Sequence, residues 1–208
     1  IRDGRIVSVG PEPAVAHDVT IDAAGDYLLP GFIQTHIHLC QTLFRGYADD
    51  LRLLEWLRTR IWPMEAAHTP ASLRAAARLA CLELLRGGTT SILTMETVHD
   101  TDAVIEAVGE TGIRATIAKC LMDETTPGPP TGPREDGARG LDESLALMRR
   151  YAGSSSRRIR IAPAPRFALS CSRSLLEAVA EASAREQHLV HTHASEQREE
   201  YALVREAT

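Results

Sequence analysis

Two His-x-His pairs constrain this chain more than any other feature. His36 and His38 close the run "LPGFIQTHIH", and His191 and His193 close "HLVHTH". In a strand, residues i and i+2 project from the same face, so each pair brings two imidazoles to one spot. Two imidazoles side by side are costly in a core unless something binds them, and a metal ion is the natural candidate. The fold must therefore be one in which strand ends gather at a common place.

The rest of the chain has that character. Short apolar runs alternate with helical periodicity: strand about 31–38, helix 70–86, strand 89–95, helix 100–110, strand 113–119, helix 141–151, strand 158–163, helix 172–186 and strand 188–193. Arg86-Gly87-Gly88 stops a helix just before the β-branched "TTSIL", and "SCSRSLLEAVAEASA" offers serine caps ahead of a Leu/Ala face. A Pro- and Gly-rich loop, "ETTPGPPTGPREDGARG", interrupts the series. Repeated strand–helix units predict parallel strands, in an open doubly wound sheet or a (β/α) barrel. No G-x-G-x-x-G follows the first strand, which favours the barrel over a dinucleotide fold. "IRDGRIVSVG", turning at Asp3-Gly4, and "VTIDAAGDYLLPGF", turning at Gly25, predict short strands ahead of the barrel.

A complete eight-stranded barrel takes roughly 250 residues. The 208 residues here hold five predicted barrel strands, so about three units, roughly 90 residues or more, are expected to lie outside them. Net charge is −5, without the basic patch of a nucleic-acid binder. No apolar run approaches a membrane span, and no secretory pattern opens the chain. Cys40, Cys81, Cys120 and Cys171 stand far apart without a CxxC pair, which predicts reduced, mostly buried thiols of a cytoplasmic protein.

Barrel active sites lie at the C-terminal ends of the strands. His36 and His38 hold that position on the first strand and His193 on the fifth, with Glu196 three residues beyond. Histidines are common zinc ligands, a divalent metal lowers the pKa of bound water to about 7, and a neighbouring carboxylate can move the proton. His36, His38 and His193 are thus the predicted ligands and Glu196 the predicted acid–base. Zinc is the first candidate metal, with iron and manganese also compatible with three histidines. His191 reads as a spare inward-facing residue or a partner of the ligands. His17, His68, His99 and His188 read as surface or capping residues, and Trp56 and Trp62 as core or pocket wall.

"LPGFIQTHIHLCQTLFRG", "TMETVHDTDAV" and "HTHASEQREE" resemble the amidohydrolase superfamily, in its chlorohydrolase/aminohydrolase branch of purine and nucleoside deaminases and triazine hydrolases. The resemblance implies a metal-dependent (β/α)8 (TIM-like) barrel over residues 28–208, its C-terminal part missing, and part of a small β-sandwich over residues 1–27. It implies His36, His38 and His193 as ligands and Glu196 as proton shuttle. It also implies a histidine on a sixth strand and an aspartate on an eighth, neither matched here. "LLEWLRTRIWPME" resembles nucleoside deaminases in which a glutamate, here Glu65, contacts ribose hydroxyls. "PRFALSCS" and the position of Gln41 resemble guanine deaminase, which implies Arg166, Phe167 and Gln41 as purine-binding residues. The mixture most resembles the 5′-deoxyadenosine deaminase group, acting with methylthioadenosine- and S-adenosylhomocysteine-type deaminases on a small purine nucleoside and releasing ammonia.

The alternatives are a guanine deaminase, or a triazine-type hydrolase of C–N or C–Cl bonds. An alternative of another class is a fragment lacking the aspartate, inactive, and serving only as an association module. No nucleic-acid or membrane partner is expected, and a homo-oligomer is compatible with the family habit.

Overall fold

The computed structural model describes residues 1–10, 17–124, 132–152 and 158–207. They form two compact units, Ile1–Pro30 and Gly31–Thr208. In the first, Asp3 (φ 51°) and Gly4 (φ 72°) make the predicted tight turn, and Arg2 and Arg5 exchange two hydrogen bonds of 2.9 Å. A second turn has Ala24 and Gly25 at positive φ, with Asp26 N donating to Ala23 O at 2.8 Å. The predicted strands around these turns do not form: the Arg2–Arg5 bridge is the one pairing in the described part of this unit. A lone two-stranded hairpin is marginal in water, and Ile6, Val7, Val9, Val19 and Ile21 remain exposed.

The second unit is a four-stranded parallel sheet in the order β1-β2-β3-β4, with β1 Phe32–Ile37, β2 Thr89–Met95, β3 Arg114–Leu121 and β4 Ile159–Pro165. Between β1 and β2 runs a 3-10 turn, Leu39–Phe44. A helical stretch follows in three parts, α1 (Leu53–Trp56), a π turn (Leu57–Ile61) and α2 (Trp62–Ala66), and then α3 (Pro70–Arg86). The later crossovers are α4 (Thr101–Thr111) and α5 (Gly137–Ala152); α6 (Arg173–Glu186) and α7 (Arg198–Ala207) follow β4. The stretch 53–66 is a helical segment absent from the predicted series, and its buried Leu53, Leu57, Ile61 and Trp62 pack against the inner face of the sheet.

Most helix ends follow the prediction, but α5 begins at Gly137, inside the predicted loop and before the predicted start at 141. Thr69 caps α3 in a reciprocal box with Ser72, Pro70 opens it, and Arg86 and Gly87 close it. Ser172 caps α6 by accepting from Leu175 N. Strand alternation divides the core. Ile92, Ala115, Ile117 and Ile161 face α3 and α4, while Met95, Ala118, Cys120, Ala162 and Ala164 face inward against Leu53, Leu57, Ile61 and Trp62.

The predicted fifth strand, 188–193, is a correction: the segment is extended but not a strand. It runs beside β4, with His191 N donating to Pro163 O (3.2 Å) and His193 N to Arg166 O (2.9 Å). A regular parallel ladder advances two residues on both sides. Here one side advances two and the other three, so the pairing bulges where the functional residues begin.

All four cysteines are free and buried, and burial pushes the thiols of Cys81 and Cys171 to about 11 and Cys120 to about 12. No helix among the described residues is long and apolar enough to cross a membrane.

Gly31 explains the "PGF" that opens β1: a Cβ there would lie 2.7 Å from Thr90 Cβ, closer than real side chains allow. Gly31→Ala is expected to destabilise the unit by about 1–3 kcal/mol, the usual range for overpacking. Adding Thr90→Gly should restore part of that loss in denaturant melts, and no recovery would refute the steric account.

Candidate active site

The parallel sheet brings the C-terminal ends of β1, β2 and β4 together, and the functional side chains project there. His36 lies in β1 and His38 just past it; His193 comes from the extended segment beside β4. Ligand nitrogens of these three lie within 4.8 Å of one another. His38 Nδ1 is 2.8 Å from Met95 O, and His193 Nδ1 is 2.8 Å from Arg166 O. A carbonyl only accepts, so both Nδ1 atoms carry the proton and both Nε2 atoms carry a lone pair. Those two Nε2 atoms face each other at 3.3 Å.

Two lone pairs at that distance repel unless a cation lies between them. With Zn–N bonds of 2.0–2.1 Å, the edge of a tetrahedron comes to roughly 3.3 Å. The donor set therefore fits a divalent metal. His36 completes it, its Nδ1 lying 3.0 Å from His191 Nε2. For His36 to offer Nε2, its Nδ1–H donates to His191, which then carries its own proton on a buried Nδ1 without a partner among the described residues. His191 is thus the hydrogen-bond partner of His36, which matches one of the two readings the sequence left open.

Burial pushes His38 well below the usual imidazole range, helped by the charge of Arg166. Burial also lowers His193 and takes His191 to about 4, which favours the neutral form that His38 and His193 need to act as ligands. Burial, then the charge of Glu200, raises Glu196, which favours a carboxyl that can carry a proton.

A cavity of about 140 Å³ is lined by His36, His38, His193, Glu196, Gln41, Arg166 and Phe167, with Leu53, Trp56 and Leu57 as its apolar wall. Glu65, the remaining predicted residue, stands behind this lining. Arg166 donates to it twice, Nη1 to Oε2 at 2.5 Å and Nη2 to Oε1 at 3.1 Å, and Gln41 Nε2 donates to Oε1 at 2.9 Å. Both Arg166 and Glu65 are buried. Burial alone would lower Arg166, but the Glu65 carboxylate overrides it and holds the guanidinium above its usual value. Three of the roughly four acceptor positions of Glu65 are thus taken, and its side chain has no exposed surface.

His68, read from sequence as surface or capping, instead ties Cys40 O (2.9 Å) to Ser72 Oγ (2.8 Å) and stacks on Phe44. Of the tryptophans, Trp56 lines the cavity and Trp62 is core. Sequence reasoning missed Glu96 and Glu200, both buried beside the site. The signal for Glu96 was its place at the end of a predicted strand, in "TMETVHD".

The sequence profile of the amidohydrolase family matches residues 27–208. The chain belongs to the amidohydrolase family. This amidohydrolase chain is 36% identical over 206 residues to a 5′-deoxyadenosine deaminase of Methanosarcina mazei, covering 99% of this chain and 46% of that protein. It is 38% identical over 203 residues to a 5-methylthioadenosine/S-adenosylhomocysteine deaminase of Symbiobacterium thermophilum, covering 96% and 44%. Among solved structures it resembles guanine deaminase from C. acetobutylicum with bound guanine, with TM-score 0.78, 27% identity, and 86% of this chain and 42% of that chain covered. It also resembles an adenosine deaminase from Xanthomonas campestris with bound Zn, with TM-score 0.70, 29% identity, and 83% and 38% covered. The chain spans less than half the length of these relatives.

His36→Ala and His193→Ala are each expected to weaken zinc binding at least tenfold, whereas His17→Ala, at an exposed position, leaves it unchanged. Chelator competition reads this, and equal affinity in all three would overturn the ligand set.

The pH dependence of metal-free stability has two opposed parts. His38, His191 and His193 are lowered on folding, so below about 6.5 the unfolded amidohydrolase chain binds more protons and stability drops as pH falls. Glu96 is raised by burial to about 7. Its contribution is present at low pH and lost as pH rises through that value. Glu96→Gln removes the second part, so stability should climb more steeply from pH 5 to 7 in the variant than in the parent. Denaturant titrations at both pH values check this.

Proposed function

We propose that the protein carrying this chain is a metal-dependent hydrolytic deaminase of a small purine nucleoside, 5′-deoxyadenosine or a close analogue, with ammonia as the second product. One observation carries the reading: the histidine cluster and Glu196 share a cavity with Gln41 and Arg166, and Glu65 joins those two from behind. The names of the relatives support the substrate class. The metal we assign is zinc, with iron or manganese as the alternatives. We assign residues 1–27 to a small β-sandwich and residues 28–208 to the barrel.

When bound, the metal supplies a water activated at neutral pH. Glu196 takes one proton from the attacking water and passes it to the ring nitrogen N1; it then takes the second proton from the new hydroxyl on the ring carbon and gives it to the exocyclic amine, which leaves as ammonia while the carbonyl forms. Amide ion is too poor a leaving group to depart unprotonated. Phe167 stacks on the purine, and Arg166 and Gln41 donate to its ring acceptors and to the sugar hydroxyls. Glu65 fixes both donors from behind the cavity lining, so its part in reading the ribose is through Gln41 and Arg166. Leu53, Trp56 and Leu57 exclude bulk water from the ring.

A second reading, guanine as substrate with attack at C2, is favoured by Arg166 and Phe167 lying together in the cavity wall and by the guanine deaminase likeness. A triazine-type C–Cl hydrolase would use the same proton-moving residue. The test is a panel of 5′-deoxyadenosine, methylthioadenosine, S-adenosylhomocysteine, adenosine, guanine and a chlorotriazine, given to the full-length natural protein. Ammonia from the first two and none from guanine is the expected result; ammonia from guanine alone, or chloride, would replace the reading.

Glu196→Gln should lower kcat by about 10²–10⁴ with zinc content unchanged. Arg166→Lys, which loses the two-pronged contact with Glu65, should raise KM on the order of tenfold. An unchanged KM would remove Arg166 from the substrate site.

A further inference from the structure

Each histidine pair is followed by a turn whose amide groups point away from any strand partner. After His38 these are Leu39 and Cys40, which open the 3-10 turn. After His193 they are Ser195, Glu196 and Gln197, which precede α7. The first N–H groups of a helical segment have no partner within it. In both turns a buried glutamate takes them. Glu96, 1% exposed, accepts from Leu39 N at 3.2 Å through Oε1 and from Cys40 N at 3.1 Å through Oε2. Glu200, 2% exposed, accepts from Ser195 N at 3.3 Å through Oε1, and from Glu196 N at 2.6 Å and Gln197 N at 3.5 Å through Oε2.

Neither carboxylate lines the cavity. We infer that Glu96 and Glu200 are positioning residues of the hydrolytic site, Glu96 setting the ligand His38 and Glu200 setting the acid–base Glu196. The role given to Glu200 rests on the deaminase reading; the role given to Glu96 rests on metal binding alone.

The physical case is that both turns have cheaper ways to satisfy their amides. Water or a serine cap would do it without burying a charge, whereas removing a carboxylate from water is costly. A carboxylate does what they do not: it grips two or three consecutive N–H groups at once and so fixes the turn's backbone dihedrals. Thr94 strengthens the first grip, its hydroxyl lying against both Glu96 and Ile37 O, the carbonyl just before His38. On the second side, Gln197 Oε1 accepts from Leu53 N at 3.0 Å, which joins the turn to the wall of the cavity. The anions also suit a site whose ligands are neutral histidines, because a divalent cation there has no negative ligand among them. Burial, followed by the Glu200 charge, raises Glu196, so Glu200 favours the proton-carrying form as well as its placement.

The test uses the full-length natural protein and the volume-conserving variants Glu96→Gln and Glu200→Gln, in which an amide replaces one acceptor oxygen. Zinc affinity is read by chelator competition, and kcat and KM on 5′-deoxyadenosine. Glu96→Gln is expected to weaken zinc binding 10–100-fold, with KM within threefold at saturating zinc. Glu200→Gln should leave zinc affinity within threefold and lower kcat at least tenfold, with KM unchanged. In a Glu196→Gln background it should cost less than twofold more, because the group it positions is already gone.

Zinc affinity and kcat like the parent's in both variants would overturn the inference, as would a Glu200→Gln loss that multiplies undiminished onto Glu196→Gln. Amide exchange on the unsubstituted protein needs no variant to fold: protection of Cys40 and Glu196 at least a hundredfold over a free peptide is expected, and unprotected rates would refute the grip. If the parent binds zinc but deaminates nothing in the panel, the deaminase reading falls, while zinc affinity and amide exchange still decide the positioning of His38.

Discussion

The interaction on which the rest of this molecule depends is a repulsion. His38 and His193 aim the lone pairs of their Nε2 atoms at each other across 3.3 Å, and each is held there by a backbone carbonyl on its other nitrogen. Left to themselves, two neutral imidazoles would turn so that one donates to the other. Met95 O and Arg166 O forbid it by claiming both Nδ1 protons. The protein spends folding energy to keep two acceptors facing one point, and that point is where a cation becomes the missing partner.

Arg166 shows how few residues carry this arrangement. Its carbonyl accepts both the backbone N–H and the ring N–H of His193, at 2.9 and 2.8 Å. Its guanidinium meanwhile grips Glu65, which accepts from Gln41. One residue just past β4 therefore orients His193 through its main chain and lines the cavity through its side chain. The bulge beside β4 makes this possible, because it moves the carbonyl of Arg166, rather than that of Pro165, opposite His193.

The periodic parts of the fold were legible. Helix α3 follows from Thr69, Pro70 and the double glycine at its end, and β2 from the β-branched run behind them. The histidine cluster could be expected from sequence, since an H-x-H at a strand end puts two imidazoles on one face, and the structure brings His36, His38 and His193 within 4.8 Å of one another. What escaped was of two kinds. The helical stretch at 53–66 escaped although Leu53, Leu54, Leu57 and Ile61 recur at helical spacing, because it is broken into three short pieces around a π turn. Glu96 and Glu200 escaped because a glutamate near a helix or strand end ordinarily reads as solvated, and only burial distinguishes these two from the exposed Glu199.

The sequence by itself determined the alternation of strands and helices, the two histidine pairs and the family, because local periodicity and side-chain chemistry are written residue by residue. Only the tertiary structure decided which nitrogen of each histidine is free, that His191 serves His36, that Glu65 stands behind Gln41 and Arg166, and that the last segment bulges instead of pairing. Each of these depends on a carbonyl, an amide or a neighbouring side chain brought from a distant part of the chain. Such partners are set by how the strand ends converge, and no local pattern encodes that convergence.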